Sequence, residues 1–186
     1  LDEFKGSESI PIRNQLTDEE VARFAAQRFR FPGVELRARL FRNYPLGSAA
    51  AHVIGYIGRI SPAEKERIAN SDDADAYLGA DHIGKTGLEL SYQRDLMGTN
   101  GLAQVEITAG GRPVRTLERT APVAGASLTL SIDIKLQRIV EQAFGNRRGA
   151  LIAIEPQSGE VLAFVSMPTF DPNLFVDGID PQSWAA

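Results

Sequence analysis

An eight-residue run, Gly79-Ala-Asp-His-Ile-Gly-Lys-Thr86, satisfies the spacing G-x-x-x-x-G-K-[ST] of a phosphate-binding loop. In such a loop backbone N–H groups cradle phosphates, the lysine (here Lys85) meets the terminal phosphates and the hydroxyl (Thr86) holds magnesium. That chemistry needs a strand to deliver the loop and a helix to receive it. A helix start at Thr86 fits. Residues 70–78, however, are acidic and turn-like, and Asp81 inside the loop would repel a polyphosphate. The run therefore reads as a loop entering a helix, shaped by Gly84 and Gly87, with nucleotide binding the weaker alternative.

Covalent chemistry has less to work with. A serine activated by lysine needs the two residues one helical turn apart, S-x-x-K. The lysines are Lys5, Lys65, Lys85 and Lys135, and none follows a serine at that spacing. No G-x-S-x-G elbow occurs, and the carboxylates form no evident acid/base pair. Of the two histidines, His52 lies in the apolar run 49–54 and reads as a satisfied core or boundary residue. His82, beside Asp81 in an acidic loop, is a weak metal ligand on its own. The absence of cysteine excludes disulfides, thiolate metal sites and a Cys nucleophile. We expect no catalytic, cofactor-binding or metal-ligating residue here.

The 186 residues are enough for one large or two small domains, and 43% hydrophobic with 24% charged residues is ordinary for a soluble globular chain. A formal net charge of -4 argues against a nucleic-acid face and a polybasic membrane contact. No apolar run approaches the roughly 18 residues needed to span a bilayer, and residues 1–6 do not open a signal peptide. The chain starts without Met and breaks off mid-pattern, so we expect a soluble piece of a longer protein whose membrane anchor is not included.

The elements that would position these groups follow from local signals. Thr17-Asp-Glu-Glu20 is a capping box, followed by Val21, Phe24, Ala25 and Arg28 at helical spacing, with Pro32 and Gly33 beyond the helix. Residues 34–42 alternate apolar and charged, which predicts a half-buried strand. Residues 44–47 form a turn, and Ser48 is placed to cap a short apolar helix to Ile54. Ser61-Pro-Ala-Glu64 is a second capping box with Pro at the first helical position. Residues 71–81 read as an acidic surface loop. A helix over 86–97 should bury Leu88, Tyr92 and Leu96 and stop at Gly98. A hairpin is predicted from 102–108, a Gly110-Gly111 turn and 113–120, followed by a strand over 128–132. Asp133 then caps a helix whose Leu136, Ile139, Val140, Ala143 and Phe144 share one face, ending at Gly145. Two apolar runs, 150–154 and 161–167, flank Pro156-Gln-Ser-Gly159, which predicts a hairpin covered on both faces. The composition shift at 122–125 is the best candidate domain boundary.

Several blocks, in order, resemble the class B penicillin-binding proteins, most closely their elongation-type branch, penicillin-binding protein 2. They are Arg30-Phe-Pro-Gly-Val-Glu35, Tyr44-Pro-Leu-Gly47 with Ala51-His-Val-Ile-Gly-Tyr56, Ile83-Gly-Lys-Thr-Gly-Leu-Glu89, Leu96-Met-Gly-Thr-Asn-Gly101, Leu130-Ser-Ile-Asp-Ile-Lys-Leu-Gln137, and the 149–173 hairpin continued by Leu174-Phe-Val-Asp-Gly-Ile179. The first and last of these favour the elongation type over the septal, cell-division type.

The resemblance implies an α+β fold: an irregular non-catalytic pedestal, or dimerisation, domain over residues 1–125, and over 126–186 the first strand, helix and hairpin of an incomplete transpeptidase domain. It implies a serine-type peptidoglycan D,D-transpeptidase, of the transpeptidase/carboxypeptidase class, anchored at the periplasmic face of the bacterial inner membrane. Such an enzyme cross-links stem peptides in cell-wall elongation through an acyl-serine, is trapped by β-lactams, and works with a SEDS-type glycan polymerase and a periplasmic rod-shape scaffold protein. The family's S-x-x-K, S-x-N and K-T-G boxes would lie beyond Ala186, so no catalytic residue is carried over and this piece should be inactive. Lys85-Thr86-Gly87 matches K-T-G in letters only, since it precedes the hairpin and opens a helix. The apolar stretches 34–41 and 49–57 are candidate partner-docking surfaces, or else a small core packed on itself. A stand-alone interaction module without enzyme activity is the alternative of another class.

Overall fold

The computed structural model describes residues 12–38, 40–108 and 113–179. Along the chain the elements are α1 (Asp18–Gln27), α2 (Ala51–Ile54), β1 (Ile57–Arg59), α3 (Pro62–Ala69), β2 (His82–Gly84), α4 (Gly87–Ser91), α5 (Gln93–Met97), β3 (Leu102–Ile107), β4 (Pro113–Thr120), α6 (Ile134–Phe144), β5 (Gly149–Ile154) and β6 (Val161–Met167). The strands pair as three separate two-stranded sheets, β1 with β2, β3 with β4, and β5 with β6. This is an α+β protein. Two compact units form, one from the chain up to Leu40 with Ala103–Arg119, the other from Phe41–Leu102 with the chain from Thr120 onward.

In the first unit, the Thr17 capping box forms as predicted. The Glu20 amide donates to the Thr17 hydroxyl, and the Thr17 amide to the Glu20 carboxylate. A 3-10 turn, Arg28–Arg30, follows α1 and brings Phe31 back to stack on Phe24, with ring centroids 5.8 Å apart. Residues 34–38 and 40–42 are not part of a strand, which corrects the sequence expectation. Alternation selects an extended backbone; a strand also needs a neighbour to take its N–H and C=O groups. Leu36 and Leu40 are consequently exposed. The β3/β4 hairpin forms as expected, and its Gly110-Gly111 turn lies outside the described residues. Arg115 pairs with Glu106 at 2.6 Å, so strand alternation puts Val105, Ile107 and Val114 together on the opposite face, all exposed.

In the second unit, Ser61 caps α3 reciprocally with Glu64, with Pro62 at the first helical position. Asp133 caps α6 by accepting from the Lys135 and Leu136 amides. Three expectations are corrected. α2 is entered through Ala50 with left-handed backbone, not through a Ser48 cap. The predicted 86–97 helix is two pieces bent at Tyr92, and the Gly84 amide donates to the Gln93 side-chain oxygen, Oε1, at 2.6 Å. It buries Glu89 and leaves Tyr92 exposed. Residues 128–132 form no strand, although the Ser131 hydroxyl and Asp133 amide donate to the Val161 and Leu162 carbonyls.

The β5/β6 hairpin holds in antiparallel register from Gly149 opposite Met167 to Ile154 opposite Val161, with an irregularity between Ala153 and Ile154. Its predicted coverage on both faces is not met among the described residues. Ala163 and Val165 of β6 are fully buried, whereas β5 is mostly exposed, Ile152 to 53%. α6 packs on β6 and leaves the outer side of β5 uncovered.

Candidate functional site

A polar seam in the second unit joins residues 42–57 to α4 on one side and to the α6/β6 region, with the segment after it, on the other. Arg42 opens the seam. Its Nε and Nη2 lie 2.7 and 2.5 Å from Glu89 Oε1, and its guanidinium sits over the Tyr44 ring. The Tyr44 hydroxyl donates to the same Glu89 oxygen at 3.1 Å and accepts from the Ile57 amide at 2.9 Å. Glu89 is only 4% exposed, so a carboxylate has been taken from water and given three donors. Burial, outweighing the Ile57 hydrogen bond, pushes the Tyr44 phenol up to about 12, with the Glu89 charge acting in the same direction. For Arg42 partial burial works downward, but the neighbouring Glu89 carboxylate outweighs it and raises the guanidinium above its ordinary value.

Two carboxamides continue the seam by imitating a peptide group. Asn173 accepts from the Tyr44 amide and donates to the Tyr44 carbonyl, both at 2.9 Å, across 129 residues of sequence. Gln137, 1% exposed, does the same for Phe164 on β6, accepting at 2.8 Å and donating at 2.9 Å. Gln137 also donates to Glu141 at 2.7 Å, and Glu141 accepts from the Ala50 amide at 2.9 Å. Thr169 donates to the Ser48 carbonyl. Around these bonds Tyr56 stacks on Phe175, with Phe170 edge-on to Tyr56, Phe175 and His52.

α6 therefore presents a different face from the one its apolar spacing suggests. Gln137 is buried and Glu141 half-buried, while Ile139 is 63% exposed and Ala143 exposed. Apolar periodicity cannot reveal a glutamine whose partner is a backbone 27 residues away.

The residues singled out from sequence fall within this framework. His52 is exposed at the seam, its Nε2 2.9 Å from the Pro168 carbonyl. His82 belongs to β2, not to a loop, and its Nε2 lies 2.8 Å from the Val176 carbonyl. In 79–86, residues 82–84 are strand, the Gly84 amide is taken by Gln93, and the Lys85 amide donates to the Tyr56 carbonyl at 2.9 Å. Two of the amides at the centre of a phosphate cradle are thus already engaged within the fold. Lys85 itself pairs with Glu64 at 2.5 Å. Gly87 packs against the α2 terminus, where a Cβ would come 2.5 Å from the Val53 carbonyl oxygen. Ser61 is committed to capping α3, Lys65 and Lys135 are exposed, and Lys5 lies outside the described residues. Of the two candidate docking stretches, 49–51 is buried core, whereas Leu36 and Leu40 are open. The seam positions segments and recognises backbone; that is the chemistry its groups can perform.

Comparison with known proteins points one way. Residues 2–130 match the family described as the Penicillin-binding Protein dimerisation domain. The chain is 43% identical over 178 residues to the peptidoglycan D,D-transpeptidase MrdA of Escherichia coli K12, covering 96% of this chain and 28% of that protein. Among solved structures, it is similar to Pseudomonas aeruginosa PBP2 in complex with WCK 5153, with a TM-score of 0.64 and 41% identity, over 81% of this chain and 29% of that one. It is also similar to Helicobacter pylori PBP2 in its complex with MreC, with a TM-score of 0.75 and 29% identity, over 92% of this chain and 31% of that one. The chain thus spans less than a third of the relatives it matches.

Proposed function

The chain belongs to the penicillin-binding protein dimerisation-domain family, and on that premise we propose that it is the pedestal, with the opening elements of the transpeptidase domain, of an elongation-type peptidoglycan D,D-transpeptidase. The observation that carries this is the 43% identity to MrdA running through 96% of the chain, across pedestal and hairpin alike. We place the domain boundary near 122–125. The whole protein cross-links stem peptides in the periplasm through an acyl-serine outside residues 1–186, anchored in the inner membrane. Residues 1–186 hold no catalytic group; their seam sets the hairpin on the pedestal. The exposed outer side of β5 is covered by the remainder of the transpeptidase domain.

The partners follow from the same premise. A rod-shape scaffold protein docks on the pedestal, a reading supported by the H. pylori PBP2 complex with MreC, and a SEDS-type polymerase engages the protein at the membrane. Exposed Leu36 and Leu40 are the docking residues within this chain. Ile57 is withdrawn from that role, because it is half-buried on β1 and its amide serves Tyr44.

Fluorescent penicillin tests the enzymatic reading. The full-length protein labels covalently and residues 1–186 do not; a stable adduct on residues 1–186 would place a nucleophile inside this chain. Capture of the scaffold by full-length protein carrying Leu40→Glu tests the docking surface, which is refuted if capture is undiminished.

A further inference from the structure

Only one of the six asparagines, Asn100, precedes a glycine. Both halves of that dipeptide are held in place by the fold. The Asn100 side-chain amide donates to the Leu78 carbonyl at 2.8 Å and, more weakly, to the Ala76 carbonyl at 3.5 Å. Gly101 lies so close to the returning chain that a Cβ there would come 2.7 Å from both the Pro122 nitrogen and the Thr120 carbonyl oxygen. Immediately before the dipeptide, Thr99 exchanges two 2.9 Å backbone bonds with Val123. Packing therefore demands glycine at 101, and tethering of the 3-10 turn Ala74–Tyr77 and its exit demands a carboxamide at 100.

That pairing is chemically labile. Glycine has no side chain to hinder its nitrogen from reaching the preceding side chain, and Asn100 is exposed to the water the reaction consumes. We propose that Asn100 is a site of spontaneous deamidation, whose conversion to a carboxylate releases residues 76–80 from residues 99–101. The Gly101 nitrogen attacks Asn100 Cγ, a C–N bond closes the cyclic imide, and ammonia departs with the transferred proton. Water then opens either imide carbonyl, giving aspartate or isoaspartate, with no oxidant or reductant involved. The product has lost its N–H donors and sets a negative charge against two carbonyl oxygens. The adjoining segment already carries Asp72, Asp73 and Asp75. The Leu78 tether must open before attack, so the rate of damage reads the opening of this corner.

The test is incubation of the full-length protein in mildly alkaline buffer, with peptide mapping and isoaspartyl methyltransferase labelling over time. Residue 100 should convert ahead of the other five asparagines of residues 1–186, and the Ala76, Leu78 and Ala80 amides should then exchange hydrogen several-fold faster. Freshly prepared Asn100→Asp should show the same accelerated exchange without incubation. If residue 100 stays amidated in the native protein while the denatured chain converts there, the tether protects the site and the proposal fails. Conversion, or Asn100→Asp, with unchanged exchange at 76–80 overturns it equally.

Discussion

Arg42→Ala would test whether the buried Glu89 dominates this unit. Removing the guanidinium leaves Glu89, 4% exposed, with the Tyr44 hydroxyl as its remaining partner among the contacts described above. Stripping the partner from a fully buried ion costs about 3–5 kcal/mol. The Arg42 side chain is itself 44% exposed, so water reaches one side of the pair, and we expect about 2–3 kcal/mol. Glu89→Gln keeps the shape and an acceptor oxygen for Arg42 and Tyr44 and should cost about 1–2 kcal/mol. Combining the two substitutions should be less damaging than their sum by about 1–2 kcal/mol, because the residues share one contact. Urea denaturation followed by circular dichroism gives the energies, and hydrogen exchange at the Ile57 amide, which donates to Tyr44, reports the site locally. A loss below about 0.5 kcal/mol for Arg42→Ala, within the range of an ordinary surface substitution, would refute the reasoning. Strict additivity in the double variant, or unchanged Ile57 exchange, would do the same.

Three further outcomes follow from the same geometry. For Glu64, burial works upward, but the Lys85 hydrogen bond and the Ser61 donors outweigh it and hold the carboxyl at about 2, below its ordinary 4.5. Its stabilisation is therefore complete above pH 4.5 and lost as pH falls toward 2, worth about 1–2 kcal/mol after solvent screening. Acid titration of the melting temperature should be flatter for Glu64→Gln than for the parent across that window. Gln137→Leu orphans the Phe164 N–H and C=O and one Glu141 contact, and should cost about 2–4 kcal/mol by urea denaturation; a neutral result would mean the α6/β6 contact is purely apolar. Gly55→Ala drives a Cβ to 1.9 Å from the Thr86 carbonyl oxygen at a φ of +75°. A loss of about 3 kcal/mol is expected, with thermal unfolding as the readout.

What could be read in advance was whatever is encoded within a few residues. Thr17 with Glu20, Ser61 with Glu64, and Asp133 with the amides of Lys135 and Leu136 are contacts three residues apart or fewer. The Pro156-Gln-Ser-Gly159 turn signal likewise sits between two β-rich runs. Such signals survive without any tertiary context because both partners travel together along the chain. The ordered blocks from Arg30-Phe-Pro-Gly-Val-Glu35 to Leu174-Phe-Val-Asp-Gly-Ile179 also carried the family. Where pattern alone was asked to specify pairing, it failed. Residues 34–42 and 128–132 have strand-like composition, yet residues 34–38, 40–42 and 128–132 find no neighbour among the described residues to complete a ladder.

The seam was decided by the folded chain. Arg42 meets Glu89 across 47 residues, Gln137 meets Phe164 across 27, and Asn173 meets Tyr44 across 129. Each is a polar side chain that by type belongs in water, and nothing nearby in the chain marks it otherwise. Burial becomes favourable only when distant backbone or charge supplies every hydrogen bond the side chain has given up, and that condition exists only once the two segments are in contact.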